Sequence, residues 1–82
     1  MSSFIPGKLY EFIGWDQGDD VPRAGTLYLD GNVRIFVGDH MVLLERTSTA
    51  DGQVFRVLTS WGIVASFNLH FPENCLREVV MP

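Results

Sequence analysis

The chain has 82 residues, of which 46% are hydrophobic and 20% are charged, and its formal net charge is -4. This length predicts one domain with a small core, and the composition is that of a globular protein rather than a disordered one. The acidic balance argues against nucleic acid and against an anionic membrane surface as partners, because both attract proteins mainly through Lys and Arg.

The sequence also predicts where the protein resides. No apolar run approaches the roughly 20 residues of a membrane-spanning helix. The start MSSFIPGK lacks the charged and apolar blocks of a signal peptide. Cys75 is the single cysteine, so an internal disulfide cannot form. We therefore expect a soluble cytoplasmic protein.

Short segments rich in β-branched and aromatic residues alternate with turn residues along the chain. Residues 1–7 are predicted to form an N-terminal arm pinned by Phe4 and Ile5, and residues 8–82 a single domain. The predicted strands are Lys8–Trp15, Arg23–Asp30, the two halves of Val33–Glu45, Val54–Ser60, Ile63–Leu69 and Leu76–Val80. The predicted loops are Asp16–Pro22 and Thr47–Gln53, with a 3₁₀ turn at Pro72–Cys75. This pattern predicts an all-β fold, a small barrel or sandwich of five to seven antiparallel strands.

The stretch Val33–Glu45 is expected to organise the core. A Gly38-Asp39 turn joins its two strands, and apolar residues alternate on either side of that turn. The predicted core nucleus consists of Val33, Ile35, Met41 and Leu43.

Several short pieces, in their order, resemble a Src-homology-3 domain. They are Leu9-Tyr10-Glu11-Phe12, the Gly38-Asp39 turn before a central strand, and Phe71-Pro72-Glu73-Asn74-Cys75-Leu76. The resemblance implies a small SH3-like barrel. It adds Val57, Phe71 and Leu76 to the expected core.

The family's peptide groove is only partly preserved. In such domains, aromatic rings hold the prolines of an extended peptide. The resemblance places Tyr10 and Phe12 in the groove, but Val54 and Cys75 stand where the family has Trp and Tyr. The segment from Ile13 to Asp39 is also longer than the family's usual first loop.

An acidic loop beside aromatic residues forms the candidate binding site. Its carboxylates could pair with a basic side chain of a peptide. The candidate residues are Tyr10, Phe12, Trp15, Asp16, Asp19, Asp20, Trp61, Pro72 and Asn74. The spacing of the aspartates does not match a calcium loop, and a solvated acidic loop is the alternative interpretation.

The remaining polar residues indicate no catalytic site. His70 and Cys75 are five residues apart, which would permit a Cys-His dyad, but a surface histidine and a small buried thiol is the interpretation we favour. No metal ligand set, cofactor motif or positioned acid–base pair is visible.

The aromatic residues exceed what so small a core is expected to bury. Phe36 is expected to face outward, and Phe55 and Phe67 are expected to thicken the core. The opposite face of the strand Val54–Ser60 still holds Val54 and Leu58, and an apolar outer face can serve as an interface between copies.

Three functions are open from the sequence. The first is a non-enzymatic module that binds a protein or a basic peptide. The second is a self-associating assembly protein, a homodimer or larger homo-oligomer, of the kind that phages and mobile gene cassettes encode. The third and least supported is a small oligomeric barrel enzyme.

Overall fold

The computed structural model describes residues 4–80, which form seven strands and two short 3₁₀ turns. In chain order these are β1 (Leu9–Phe12), β2 (Thr26–Tyr28), a first 3₁₀ turn (Asp30–Asn32), β3 (Arg34–Phe36), β4 (His40–Thr49), β5 (Gly52–Thr59), β6 (Val64–Leu69), a second 3₁₀ turn (Pro72–Asn74) and β7 (Leu76–Glu78). Every strand pair is antiparallel. The predicted fold class, an all-β chain of five to seven antiparallel strands with a 3₁₀ turn near its C-terminus, is confirmed.

The strands form two sheets. The larger has the order β6-β5-β4-β1-β7, and the smaller is the β2-β3 hairpin. Strand β4 therefore lies at the centre of the larger sheet, with β6 and β7 at its edges. Apolar residues of both sheets belong to one buried cluster, so the hairpin packs against the larger sheet across a shared core.

The Gly38-Asp39 turn forms as predicted, with the Asp39 amide donating to the Phe36 carbonyl at 2.9 Å. The strands on either side of it nevertheless belong to different sheets. The end of β1 bonds to the turn, because the Phe12 amide donates to the Asp39 carbonyl and the Gly38 amide to the Phe12 carbonyl. The turn thus passes the chain from the hairpin to the centre of the larger sheet.

Alternation predicted the core nucleus correctly for three of its four residues. Ile35, Met41 and Leu43 are almost completely buried. Val33 is only half-buried and packs against the edge of the cluster, because it lies between the first 3₁₀ turn and β3.

The SH3 resemblance adds three residues to the expected core, and two of them are buried. Val57 and Leu76 are buried as expected, but Phe71 is 65% exposed, so its assignment to the core was wrong. Pro72 and Cys75 fill the core there instead. Phe71 is the residue just before the second 3₁₀ turn, and its backbone has left the strand conformation of β6.

Two aromatic residues thicken the core as predicted. Phe55 and Phe67 face each other across β5 and β6 and are both buried. Their rings stack with centroids 5.3 Å apart. Phe36 points away from the core and is 54% exposed, which was also expected.

The predicted loop Thr47–Gln53 is mostly strand. Strands β4 and β5 continue pairing through Thr49 and Gly52, so the turn itself contains only residues 50 and 51. The Thr49 hydroxyl donates to the Gly52 carbonyl and accepts from the Asp51 amide. Cross-strand pairing outweighed the turn preference of the small polar residues here.

The N-terminal arm is held to the body mainly by Phe4. Its ring is buried and stacks on Tyr10 with centroids 4.9 Å apart. The Ile5 amide donates to the Tyr10 hydroxyl, but the Ile5 side chain is exposed. Residues 1–3 of the predicted arm, and residues 81 and 82 of the predicted domain, lie outside the described residues.

The hairpin also protects one edge of the larger sheet. Asp30 lies in the first 3₁₀ turn, and its carboxylate accepts a hydrogen bond of 2.8 Å from the Ser66 amide of edge strand β6. Unpaired edge amides can recruit strands from other chains. Because the Ser66 amide already donates to Asp30, it is not available to pair with a strand of another chain.

Candidate ligand-binding site

Trp15 is fixed in place just beyond β1. Its backbone pairs with Ala24, and its indole Nε1–H donates to the Thr26 carbonyl at 2.9 Å. The indole ring meets the Phe12 ring edge-on, with centroids 5.6 Å apart. Gly25 makes room for the indole, since a Cβ at this position would lie 2.6 Å from the Cδ1 atom of Trp15. The ring is therefore preorganised, with part of its surface accessible.

The acidic loop follows directly. Asp16, Asp19 and Asp20 are all exposed. The Asp16 Oδ1 atom accepts from the Gly18 amide at 3.0 Å, which is the local turn that aspartate favours. This bond fixes the direction of the Asp16 side chain.

Arg23 ties the far end of this loop to the second 3₁₀ turn. Its Nη1 donates to the Gly14 carbonyl at 3.0 Å and to the Asn74 carbonyl at 2.6 Å. The guanidinium therefore joins two segments that are distant in sequence. It sets the spacing between the Trp15 region and the 3₁₀ turn.

A pocket of about 350 Å³ opens between these segments. It is lined by Trp15, Asp16, Leu69, His70, Phe71 and Asn74. Two aromatic rings and a leucine supply apolar walls, while Asp16 supplies a negative charge. Such a combination can receive an apolar group that carries a positive charge.

The structure brings three of the predicted site residues together. Trp15, Asp16 and Asn74 line the pocket. Asp19 and Asp20 extend the acidic loop but are not part of the lining.

Trp61 belongs to a different part of the molecule. It is 50% exposed on the turn between β5 and β6. The pocket lies beyond the other end of β6, whose six residues span about 20 Å. Trp61 therefore does not contribute to the pocket.

The remaining three predicted residues, Tyr10, Phe12 and Pro72, are buried, and placing them on a binding surface was wrong. Phe4 covers Tyr10, and Trp15 packs edge-on against Phe12. Pro72 is enclosed at the start of its 3₁₀ turn. Because side chains alternate along β1, Tyr10 and Phe12 both lie on its core side, and the rings of Phe4 and Trp15 cover them.

Sequence reasoning missed Leu69, His70 and Phe71 as pocket residues and Arg23 as the link between the segments. A signal was present for Phe71, which stands beside a proline that opens a 3₁₀ turn and so can leave the strand face. No sequence signal points to Arg23, because its two acceptors are backbone carbonyls.

The charges around the pocket favour a cation. Residues 13–25 and the second 3₁₀ turn carry four carboxylates and one guanidinium. Their net charge is therefore -3, and that of the whole chain is -4. The acidic character of the protein is therefore concentrated beside this pocket, where it attracts basic partners.

Cys75 and His70 differ in their surroundings. Cys75 is completely buried, and burial raises the pKa of its thiol from 9.0 to about 11. The charge of Arg23 lowers this pKa and that of Glu73 raises it, both less than burial does. His70 is exposed on the pocket rim. The thiol is therefore protonated and enclosed, as expected of a structural cysteine.

Within residues 4–80, no three or more His, Cys, Asp or Glu side chains are grouped so that they could hold a metal ion. The same residues include no helix with the length and apolar character needed to cross a membrane. In comparisons with known proteins, no family model, no curated protein and no solved structure matches this chain.

Proposed function

We propose that this domain is a non-enzymatic module that binds a basic segment of a protein, with the pocket between the acidic loop and the second 3₁₀ turn as its contact site. The observation that carries the proposal is the meeting of Trp15, Asp16 and Phe71 in one pocket. A fixed indole, an exposed ring and a carboxylate provide apolar contact and charge recognition at one place.

The SH3 resemblance supports this proposal in part. The quoted pieces occupy β1, the turn that leads into the central strand β4, and the 3₁₀ turn before the last strand. We therefore propose a divergent SH3-like domain. Because Tyr10 and Phe12 lie in the core, its contact site is the pocket rather than an aromatic groove for polyproline.

Two conservative substitutions test the site. Asp16→Asn removes the charge but keeps an oxygen for the Gly18 amide, and Phe71→Leu removes a ring but keeps apolar bulk. We expect each to weaken binding of a lysine- and arginine-rich peptide about fivefold to tenfold, measured by isothermal titration calorimetry. Raising the salt concentration should weaken binding by the unsubstituted protein.

The controls are the same substitutions elsewhere on the surface. Asp51→Asn changes an exposed carboxylate on the β4-β5 turn, and Phe36→Leu changes an exposed ring on the hairpin. Both should leave the affinity unchanged. If the controls weaken binding as much as the pocket variants do, or if no basic peptide binds, the proposal is wrong.

Self-association is a second candidate function, supported by the strand register. Leu9, Val42, Leu58 and Val64 are direct cross-strand neighbours over β1, β4, β5 and β6, on the face opposite the core. Val64 is 47% exposed. A row of apolar side chains across an outer sheet face can pack against a second copy.

If that face is an interface, light scattering at high protein concentration will report a dimer or larger oligomer, and Val64→Lys will shift the protein toward monomer. Asn68→Lys is the matched control, because Asn68 is an exposed residue of the same strand and face. A monomer at every concentration would exclude self-association through this row.

A further inference from the structure

Three of the six side chains that line the pocket have no hydrogen-bond acceptor. The Asp16 Oδ1 atom already accepts from the Gly18 amide, and the Asn74 carbonyl already accepts from Arg23. The side chains of Trp15, Leu69 and Phe71 form walls without an acceptor, and the remaining side-chain acceptors of the lining are Asp16 Oδ2, Asn74 Oδ1 and a ring nitrogen of His70. An N–H donor of a bound cation that faces these three walls therefore leaves water without gaining a hydrogen bond.

Walls without acceptors affect the binding of different basic side chains to different degrees. A lysine ammonium has three N–H donors and an arginine guanidinium has five, and each donor that lost water without finding an acceptor would weaken binding. A trimethylammonium group has no N–H donor, and its positive charge is spread over methyl groups. Aromatic faces attract such groups, with tryptophan the strongest of the rings.

We propose that the pocket takes the trimethylated side chain of a lysine in a protein partner, with Trp15 and Phe71 against the methyl groups and Asp16 as the counter-charge. This inference rests on the proposed function and names the ligand group of the same pocket. The fixed Trp15 indole needs little reorganisation to bind. His70 adds a third ring on the rim, with its centroid 6.3 Å from that of Phe71.

The surrounding charge favours a protein over a lipid as the source of this group. The carboxylates of Asp19 and Asp20 continue the acidic surface beyond the pocket. Further lysines and arginines in a protein segment can pair with them. A choline lipid carries a phosphate next to its trimethylammonium group, and that phosphate would face the same carboxylates.

The test compares three forms of one basic peptide that differ at a single side chain: unmodified lysine, trimethyllysine, and a neutral analogue ending in a tert-butyl group. The neutral form has the shape of the trimethylated one without its charge. We expect the trimethylated peptide to bind about tenfold more tightly than either of the others, measured by calorimetry and by amide shifts. Phe71→Leu should remove most of this preference, whereas Phe36→Leu should leave it unchanged.

The other outcomes overturn the inference in distinguishable ways. Equal binding of lysine and trimethyllysine would remove the methylated ligand and leave the proposed function standing. Equal binding of the neutral and trimethylated forms would show an apolar pocket without cation recognition. Tighter binding to phosphatidylcholine vesicles than to any peptide would assign the group to a lipid, and failure of all three peptides would overturn the proposed function as well.

Discussion

Replacing Phe55 with alanine is expected to destabilise the domain by about 3–5 kcal/mol. Its ring is buried between Phe67, 5.3 Å away, and Phe4, 6.1 Å away, with the Arg46 guanidinium 5.9 Å from the ring centroid. The substitution removes buried apolar surface and leaves a cavity beside Phe4, Phe67 and Arg46. A domain of this size has a total stability of about 4–12 kcal/mol, so the loss is a large share of it. Urea denaturation followed by tryptophan fluorescence measures the change.

Phe36→Ala is the matched control for this experiment. It deletes the same ring from a position that is 54% exposed on the hairpin, so the expected change is within about 0.5 kcal/mol. If Phe55→Ala unfolds the protein completely, Phe55→Leu gives a smaller loss that can be measured. Equal stabilities of Phe55→Ala and Phe36→Ala would contradict the core described above.

Gly14→Ala is expected to destabilise the domain by at least about 2 kcal/mol. Gly14 has a φ of +91°, a conformation that L-residues rarely adopt. A Cβ at this position would lie 2.9 Å from the backbone nitrogen of Ala24, so the Trp15–Ala24 bridge would have to move. Because this bridge holds Trp15, the variant should also bind basic peptides more weakly.

Gly18→Ala separates backbone strain from the clash. Its φ of +108° is also positive, but a Cβ there would meet no atom within 4 Å. The loss of stability at Gly18 should therefore be smaller than at Gly14, and peptide binding should be retained. A larger loss at Gly18 than at Gly14, from denaturation midpoints, would contradict the close packing around Trp15.

The strands could be predicted because alternation and turn chemistry agreed along most of the chain. Met41 and Leu43 alternate with residues of the outer face, and Gly38-Asp39 and Trp61-Gly62 mark the ends of strands. Each of these signals depends only on neighbours in sequence, which is why each was visible there. The length of β4 and β5 was underestimated because pairing across the sheet outweighs local turn preference.

The burial of individual rings could not be predicted from alternation alone. Tyr10 and Phe12 were placed on one face of β1, but nothing in the sequence showed that Phe4 and Trp15 would cover them. Phe71 shows the reverse, since it leaves the strand face just before Pro72 and becomes exposed. Both results depend on contacts between segments that are distant in sequence.

The candidate site was predictable in composition but not in shape. Trp15 and Asp16 were recognised as an aromatic residue beside an acidic loop, and both line the pocket. The opposite wall comes from the end of β6 and the residues after it, which contact this loop only in the folded chain. Arg23 holds the two together through backbone carbonyls, so its role could emerge only from the structure.

The most direct test of the binding site is a map of amide and indole chemical shifts during titration with a basic peptide that carries trimethyllysine. The pocket predicts that the largest shifts fall on Trp15, Asp16, Leu69, His70, Phe71 and Asn74. The Trp61 indole should shift little, because it lies beyond the opposite end of β6. Largest shifts on the outer-face row of Leu9, Val42, Leu58 and Val64, or none anywhere on the protein, would contradict the assignment of the pocket as the ligand-binding site.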